Sequence, residues 1–103
     1  MNIDSTTKDP IEMQVESEYT EPKNFFSEIE DEILDEYNGV IKYCELAKES
    51  PDAGYSQILR DMAKEEHRHA MHLISILKDG GCYTETSEIK KLSEEASKAL
   101  YPN

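Results

Sequence analysis

The stretch that decides the fold is Tyr55-Ser-Gln-Ile-Leu-Arg-Asp-Met-Ala-Lys-Glu-Glu-His-Arg-His-Ala-Met-His-Leu-Ile-Ser-Ile-Leu77. Its apolar residues are Tyr55, Ile58, Leu59, Met62, Ala63, Ala70, Leu73, Ile74 and Leu77. Steps of three and four separate them, which is the period of an amphipathic α-helix. Gly80-Gly81 stops this helix, because glycine readily leaves helical geometry at a C-terminus. Ser50-Pro51-Asp52 precedes it. Proline disfavours helical geometry in the residue before it, and Pro51 or Asp52 can open the next helix. The pattern predicts a helix over about 52–79.

Upstream the same period recurs in Phe26, Ile29, Ile33, Tyr37, Val40, Ile41, Cys44 and Ala47. It predicts a first helix from about residue 22 or 27 to 49. Thr20 with Pro22 offers one start, and Ser27 with Glu30 offers a competing capping box. Two helices joined by so short a turn should lie antiparallel, each about 40 Å long at 1.5 Å per residue. Such a hairpin has one seam and leaves much of its apolar surface uncovered. A four-helix bundle therefore requires a second hairpin. The chain has no internal repeat, so that half must come from another molecule. Downstream, Thr86 or Ser87 can cap a short third helix over 88–100, with Ile89, Leu92, Ala96, Ala99 and Leu100 at helical spacing. Residues 1–20 show no period and are rich in Asp, Glu, Ser and Thr, the composition of a disordered acidic tail. The expected organisation is a tail at 1–20, an all-α hairpin at 21–80, and a connector with a short helix at 81–103.

Composition fits this reading. Among 103 residues, 37% are hydrophobic and 33% charged, with two Phe and no Trp. A chain so short of bulky core material is marginal alone, and self-association remedies that. The formal net charge of −12 repels nucleic acid and anionic membrane surfaces and favours cations. No stretch is long and apolar enough to span a bilayer, and Met1–Thr20 lacks a signal peptide's basic start and apolar run. The sequence reading is therefore cytoplasmic. Cys44 and Cys82 lack metal-ligand spacing and are expected to be free thiols.

Glu66 and His69 form a Glu-x-x-His pair. Three residues apart on a helix, carboxylate and imidazole share a face and can bind one cation. Both extend the stripe of Tyr55, Leu59, Met62 and Leu73, so they are expected to point into the seam. A buried carboxylate without a partner is costly or becomes protonated, and a metal would resolve that. On the first helix Glu36 lies between Ile33 and Val40. A turn near Ser50-Pro51 sets it opposite residue 65 or so, beside Glu66 and His69. One carboxylate and one Glu-x-x-His form half of a di-iron carboxylate site.

Glu36 followed by Glu66-x-x-His69 resembles the ferritin-like superfamily. The likeness is to its single-hairpin members, the encapsulated ferritins and short rubrerythrin-like proteins. The run Lys64-Glu-Glu-His-Arg-His-Ala70 resembles their second-helix signature, and Tyr43 resembles an aromatic they keep near the metal. The resemblance covers about residues 25–80. It implies a ferroxidase that oxidises Fe²⁺ with O₂ or peroxide at a di-iron site shared between two chains. Each chain would supply Glu36, Glu66 and His69, with Glu66 bridging. It also implies a homo-oligomer and, as a further partner, an encapsulating shell protein. The C-terminus, Lys98-Ala-Leu-Tyr-Pro-Asn103, lacks the apolar targeting tail of compartment cargo.

Other readings stay open. Glu32, one turn from Glu36, is a secondary ligand candidate. Glu65, His69 and His72 share a helix edge that could take Zn²⁺ or a second ion. His67 and His72 otherwise read as surface histidines, and Tyr37, Tyr43 and Tyr55 as core aromatics. The acids Glu28, Glu30, Asp31, Glu32 and Asp35 either gather Fe²⁺ or simply suit a helix N-terminus. The alternative to iron chemistry is a non-catalytic helical adaptor that dimerises through the hairpin, or a zinc-binding hairpin.

Overall fold

A computed structural model of the chain describes residues 24–103. The proposed acidic tail, Thr20 and Pro22 lie outside them. The described residues form three α-helices and no strand: α1 (Phe25–Glu49), α2 (Ala53–Asp79) and α3 (Ser87–Leu100). None of these helices is long and apolar enough to cross a membrane.

Each helix begins at a polar side chain that accepts from an orphan backbone N–H. Asn24 caps α1 through the Ser27 amide at 2.8 Å. Asp52 caps α2 through the Tyr55 amide at 2.9 Å. Thr86 caps α3 through the Ile89 amide at 3.1 Å. The start of α1 thus falls between the two expected starts, because Asn24 takes the cap and Ser27 donates to it. At its far end α2 closes as expected. Gly80 caps it, Gly81 adopts φ +72°, and the Cys82 amide donates to the Leu77 carbonyl at 3.0 Å.

Contacts climb α1 as they descend α2. Phe26 packs on Gly80, Glu36 approaches His69, and the Ser56 hydroxyl donates to the Ala47 carbonyl at 2.8 Å. The core joins Ile33, Tyr37, Val40 and Cys44 of α1 to Ala63, Ala70 and Leu77 of α2. Burying a residue such as Ile33 or Leu77 contributes about 1.5–3 kcal/mol. Small Ala63 and Ala70 let the helix backbones approach closely.

This seam corrects one expectation. Tyr55 is 64% exposed and Met62 is exposed too, while Leu59, Leu73 and Glu66 are only half-buried. The expected inner stripe therefore borders the seam: Leu73 packs against the core and Glu66 against Gly39 of α1, while Tyr55 and Met62 face outward. Two adjacent stripes on one helix share a period, and the alanines give the true seam little hydrophobic signal. Tyr37 is buried and Tyr43 half-buried as core aromatics, but Tyr55 is not one.

Helix α3 packs chiefly on α1 and hardly touches α2. Ile89, Ala96 and Leu100 enter the core, and the N-terminal end of α3 meets Glu30, Asp31 and Leu34. Residues two apart on a helix stand about 160° apart. The flank holding Leu34 is thus nearly opposite the flank holding Glu36. Cys44 is buried and Cys82 exposed, and both are free. Burial pushes the Cys44 thiol pKa up.

Candidate metal centre

Two helices contribute to the site, and the Ser50–Asp52 turn sets their register. With Ser56 tied to Ala47, Glu36 comes to the level of Glu66 and His69. One ligand atom from each of these three residues lies within 4.8 Å of the others. No other group of three or more His, Cys, Asp or Glu side chains among the described residues meets this standard. Glu32 and His72 are exposed and stand outside the cluster.

The cluster grades from inside to outside. The Glu36 side chain is 14% exposed, Glu66 is half-buried, and the His69 side chain is 46% exposed. Nδ1 of His69 stands 3.4 Å from Oε1 of Glu36. That distance allows electrostatic attraction, but Oε1 is buried and makes no hydrogen bond of good geometry. Burial raises the Glu36 pKa to about 7, and the Glu66 carboxylate adds to the rise, while His69 partly opposes it. Two carboxylates that face each other under partial burial resist double ionisation. A divalent cation between them removes that repulsion and satisfies the orphaned oxygen.

Gly39 makes the arrangement fit. A Cβ at this position would stand 3.0 Å from Oε1 of Glu66, 3.3 Å from its Cγ and 3.4 Å from its Cδ. The Glu66 side chain therefore lies along the bare backbone of α1, one turn from Glu36. Sequence reading missed Gly39. The signal was there, since a glycine in a helix interior costs roughly 0.5–1 kcal/mol relative to alanine and points to a close approach.

The edge alternative is only partly assembled. Nε2 of His69 lies 3.9 Å from Glu65 Oε1, but Glu65 pairs with Arg68. His67 is half-buried, contrary to the surface reading. Its ring stands edge-on to Tyr37 with centroids 6.1 Å apart, because residue 67 falls on the seam side of α2. Tyr43 lies two turns along α1 from Glu36, half-buried against the core. Comparison with family models, curated proteins and solved structures finds no match to this chain.

Proposed function

We propose that α1 and α2 act as an antiparallel hairpin, that two hairpins close a ferritin-like four-helix bundle, and that the bundle oxidises Fe²⁺. The observation that carries this reading is the buried, unsatisfied Oε1 of Glu36, held within 4.8 Å of donor atoms on Glu66 and His69. Carboxylates suit Fe³⁺ and an imidazole suits Fe²⁺, so the donor set accommodates both oxidation states. An exposed flank supports the second half of this reading: the His69 side chain is 46% exposed, and Tyr55, Ile58 and Met62 of the same helix are exposed among the described residues.

Fe²⁺ is the substrate, and O₂ or peroxide takes its electrons. Within each chain, Glu36 holds the inner position, where burial raises its pKa to about 7. A bound cation would displace the proton that Glu36 holds below that pH. Glu66, which lies against Gly39 beside Glu36, is the residue that would bridge the two irons. His69 supplies nitrogen from the solvent edge.

A second reading draws on the same geometry. Three donors from one chain already match the ligand count of a single Zn²⁺ site with an open position. One experiment separates the readings. Anaerobic titration with Fe²⁺, then admission of air, should give about one iron per chain, a rise in ferric absorbance and a sedimenting dimer. Tight Zn²⁺ uptake by a monomer, with no iron oxidation, supports the zinc site instead. No uptake of either metal leaves the helical adaptor.

A further inference from the structure

We propose that the apolar groove at the turn end of the hairpin receives Phe25 from a second copy of this chain. The groove has a volume of about 480 Å³ and is lined by Leu46, Glu49, Ser50, Tyr55, Ile58 and Leu59. Tyr55 is 64% and Ile58 57% exposed. At the other end of the hairpin Phe25 is 60% exposed. It stands edge-on to Phe26 with centroids 5.4 Å apart. Phe26 in turn rests where a Cβ on Gly80 would be, 2.7 Å from its ring. Among the described residues, Phe25 is thus braced from behind and bare in front.

Register names the occupant. Phe25, Ile29, Glu32, Glu36, Gly39, Tyr43 and Leu46 follow at steps of four and three, so Phe25 and the groove share the face that carries the site. Phe25 precedes Glu36 by about 16 Å along α1, and Leu46 follows it by about 15 Å. On α2, Tyr55 and Leu59 lie about 16 and 10 Å from Glu66. This inference rests on the reading above, in which a two-fold axis passes through the shared site. Set perpendicular to the helices, that axis carries each point along them to an equal distance on the other side of the site. Phe25 of one copy then arrives at the level of Leu46 and Tyr55 of the other. Charge favours the same direction. Glu28, Glu30, Asp31, Glu32 and Asp35 crowd the Phe25 half of α1, while in the turn half Lys42 and Lys48 are balanced by Glu45 and Glu49. Two acidic ends placed together repel, and an acidic end set beside a balanced one avoids that cost.

The test introduces the photocrosslinker p-benzoylphenylalanine at position 25 of the full chain, with irradiation in the absence and presence of Zn²⁺ or anaerobic Fe²⁺. The expected product is a covalent dimer whose joined peptides link position 25 to residues 46–59. Phe25→Ala should raise the dimer dissociation constant at least tenfold, with helicity unchanged. Links from position 25 to residues 25–36 of another copy would overturn the proposal, as would links confined to one chain. Dimers joined at the groove without metal uptake keep the interface and remove the metal reading. Metal uptake with crosslinks elsewhere does the reverse.

Discussion

A glycine and a carboxylate set the chemistry at the smallest scale. Gly39 trades helix stability for the space that Glu66 occupies. The obstacle to an added methyl is the end of a flexible side chain, so the helix should gain while the site loses. Gly39→Ala should stabilise the apoprotein by about 0.5–1 kcal/mol, and weaken metal binding at least tenfold. Thermal melts of the apoprotein and a Zn²⁺ or Fe²⁺ titration give the two halves of the test, and unchanged binding would show that Glu66 has room elsewhere. Glu36 supplies a pH signature. Its pKa rises on folding from 4.5 to about 7, so the folded chain holds this proton more tightly than the unfolded one. The favourable contribution is complete below about pH 4.5 and is lost as pH climbs through about 7. Glu36→Gln removes this dependence. Its apo stability relative to wild type should therefore improve steadily between those pH values, as read by denaturant melts across the range. A flat difference would mean that the carboxylate is not buried as described. The juxtaposition of Glu36, Glu66 and His69 was legible in sequence, because a three-residue spacing and a proline turn fix angle and level. Gly39 was not, since it adds nothing to a hydrophobic pattern.

Among the elements, α2 carries two faces that sequence alone conflates. Ala63, Ala70 and Leu77 make the seam, and Tyr55, Leu59, Met62 and Leu73 make the neighbouring stripe. Periodicity reports that a helix has an apolar side, but not which neighbour that side meets. Glu66 borders both faces, whereas Glu65 points outward to Arg68. Glu66→Ala and His69→Ala should therefore abolish the proposed iron oxidation, while Glu65→Ala should retain most of it in a stopped-flow assay. The reverse ranking would transfer the site to the Glu65, His69, His72 edge. The caps are also unequal. Asp52 holds the start of α2 at the turn that sets register, whereas Asn24 holds an outer end. Asp52→Ala should cost about 1 kcal/mol, more than Asn24→Ala, in equilibrium unfolding. Ser50-Pro51-Asp52 offered Pro51 or Asp52 as the start of α2, and the cap falls on Asp52. Asn24 was hidden because Thr20 and Ser27 offered competing starts on either side.

For the whole molecule, the placement of α3 matters most. It covers the Leu34 flank of α1, while Phe25 and Leu46 of α1 and Tyr55 and Ile58 of α2 stay exposed on another side. One covered flank and one open flank favour a closed pair of chains over an open-ended stack. Removing residues 83–103 should uncover a second apolar strip along α1 and yield species larger than a dimer by sedimentation. A truncated chain that remains a clean dimer would show that α3 does not limit association. The third helix was visible in sequence, but its seat on α1 rather than α2 was not, since its period says nothing of its neighbour. The two thiols give this asymmetry a ruler. Cys44 is sealed in the core, while Cys82 is exposed just beyond α2. A nitroxide reagent should therefore mark each chain once, at Cys82, without any engineered site. Asp79, the last residue of α2, lies about 20 Å from Glu66 along the helix. A two-fold axis perpendicular to the helices at the candidate site would hold two such labels about 40 Å or more apart, within reach of pulsed dipolar spectroscopy. Hairpins joined with like ends together would bring the labels close enough to broaden each other's continuous-wave spectra.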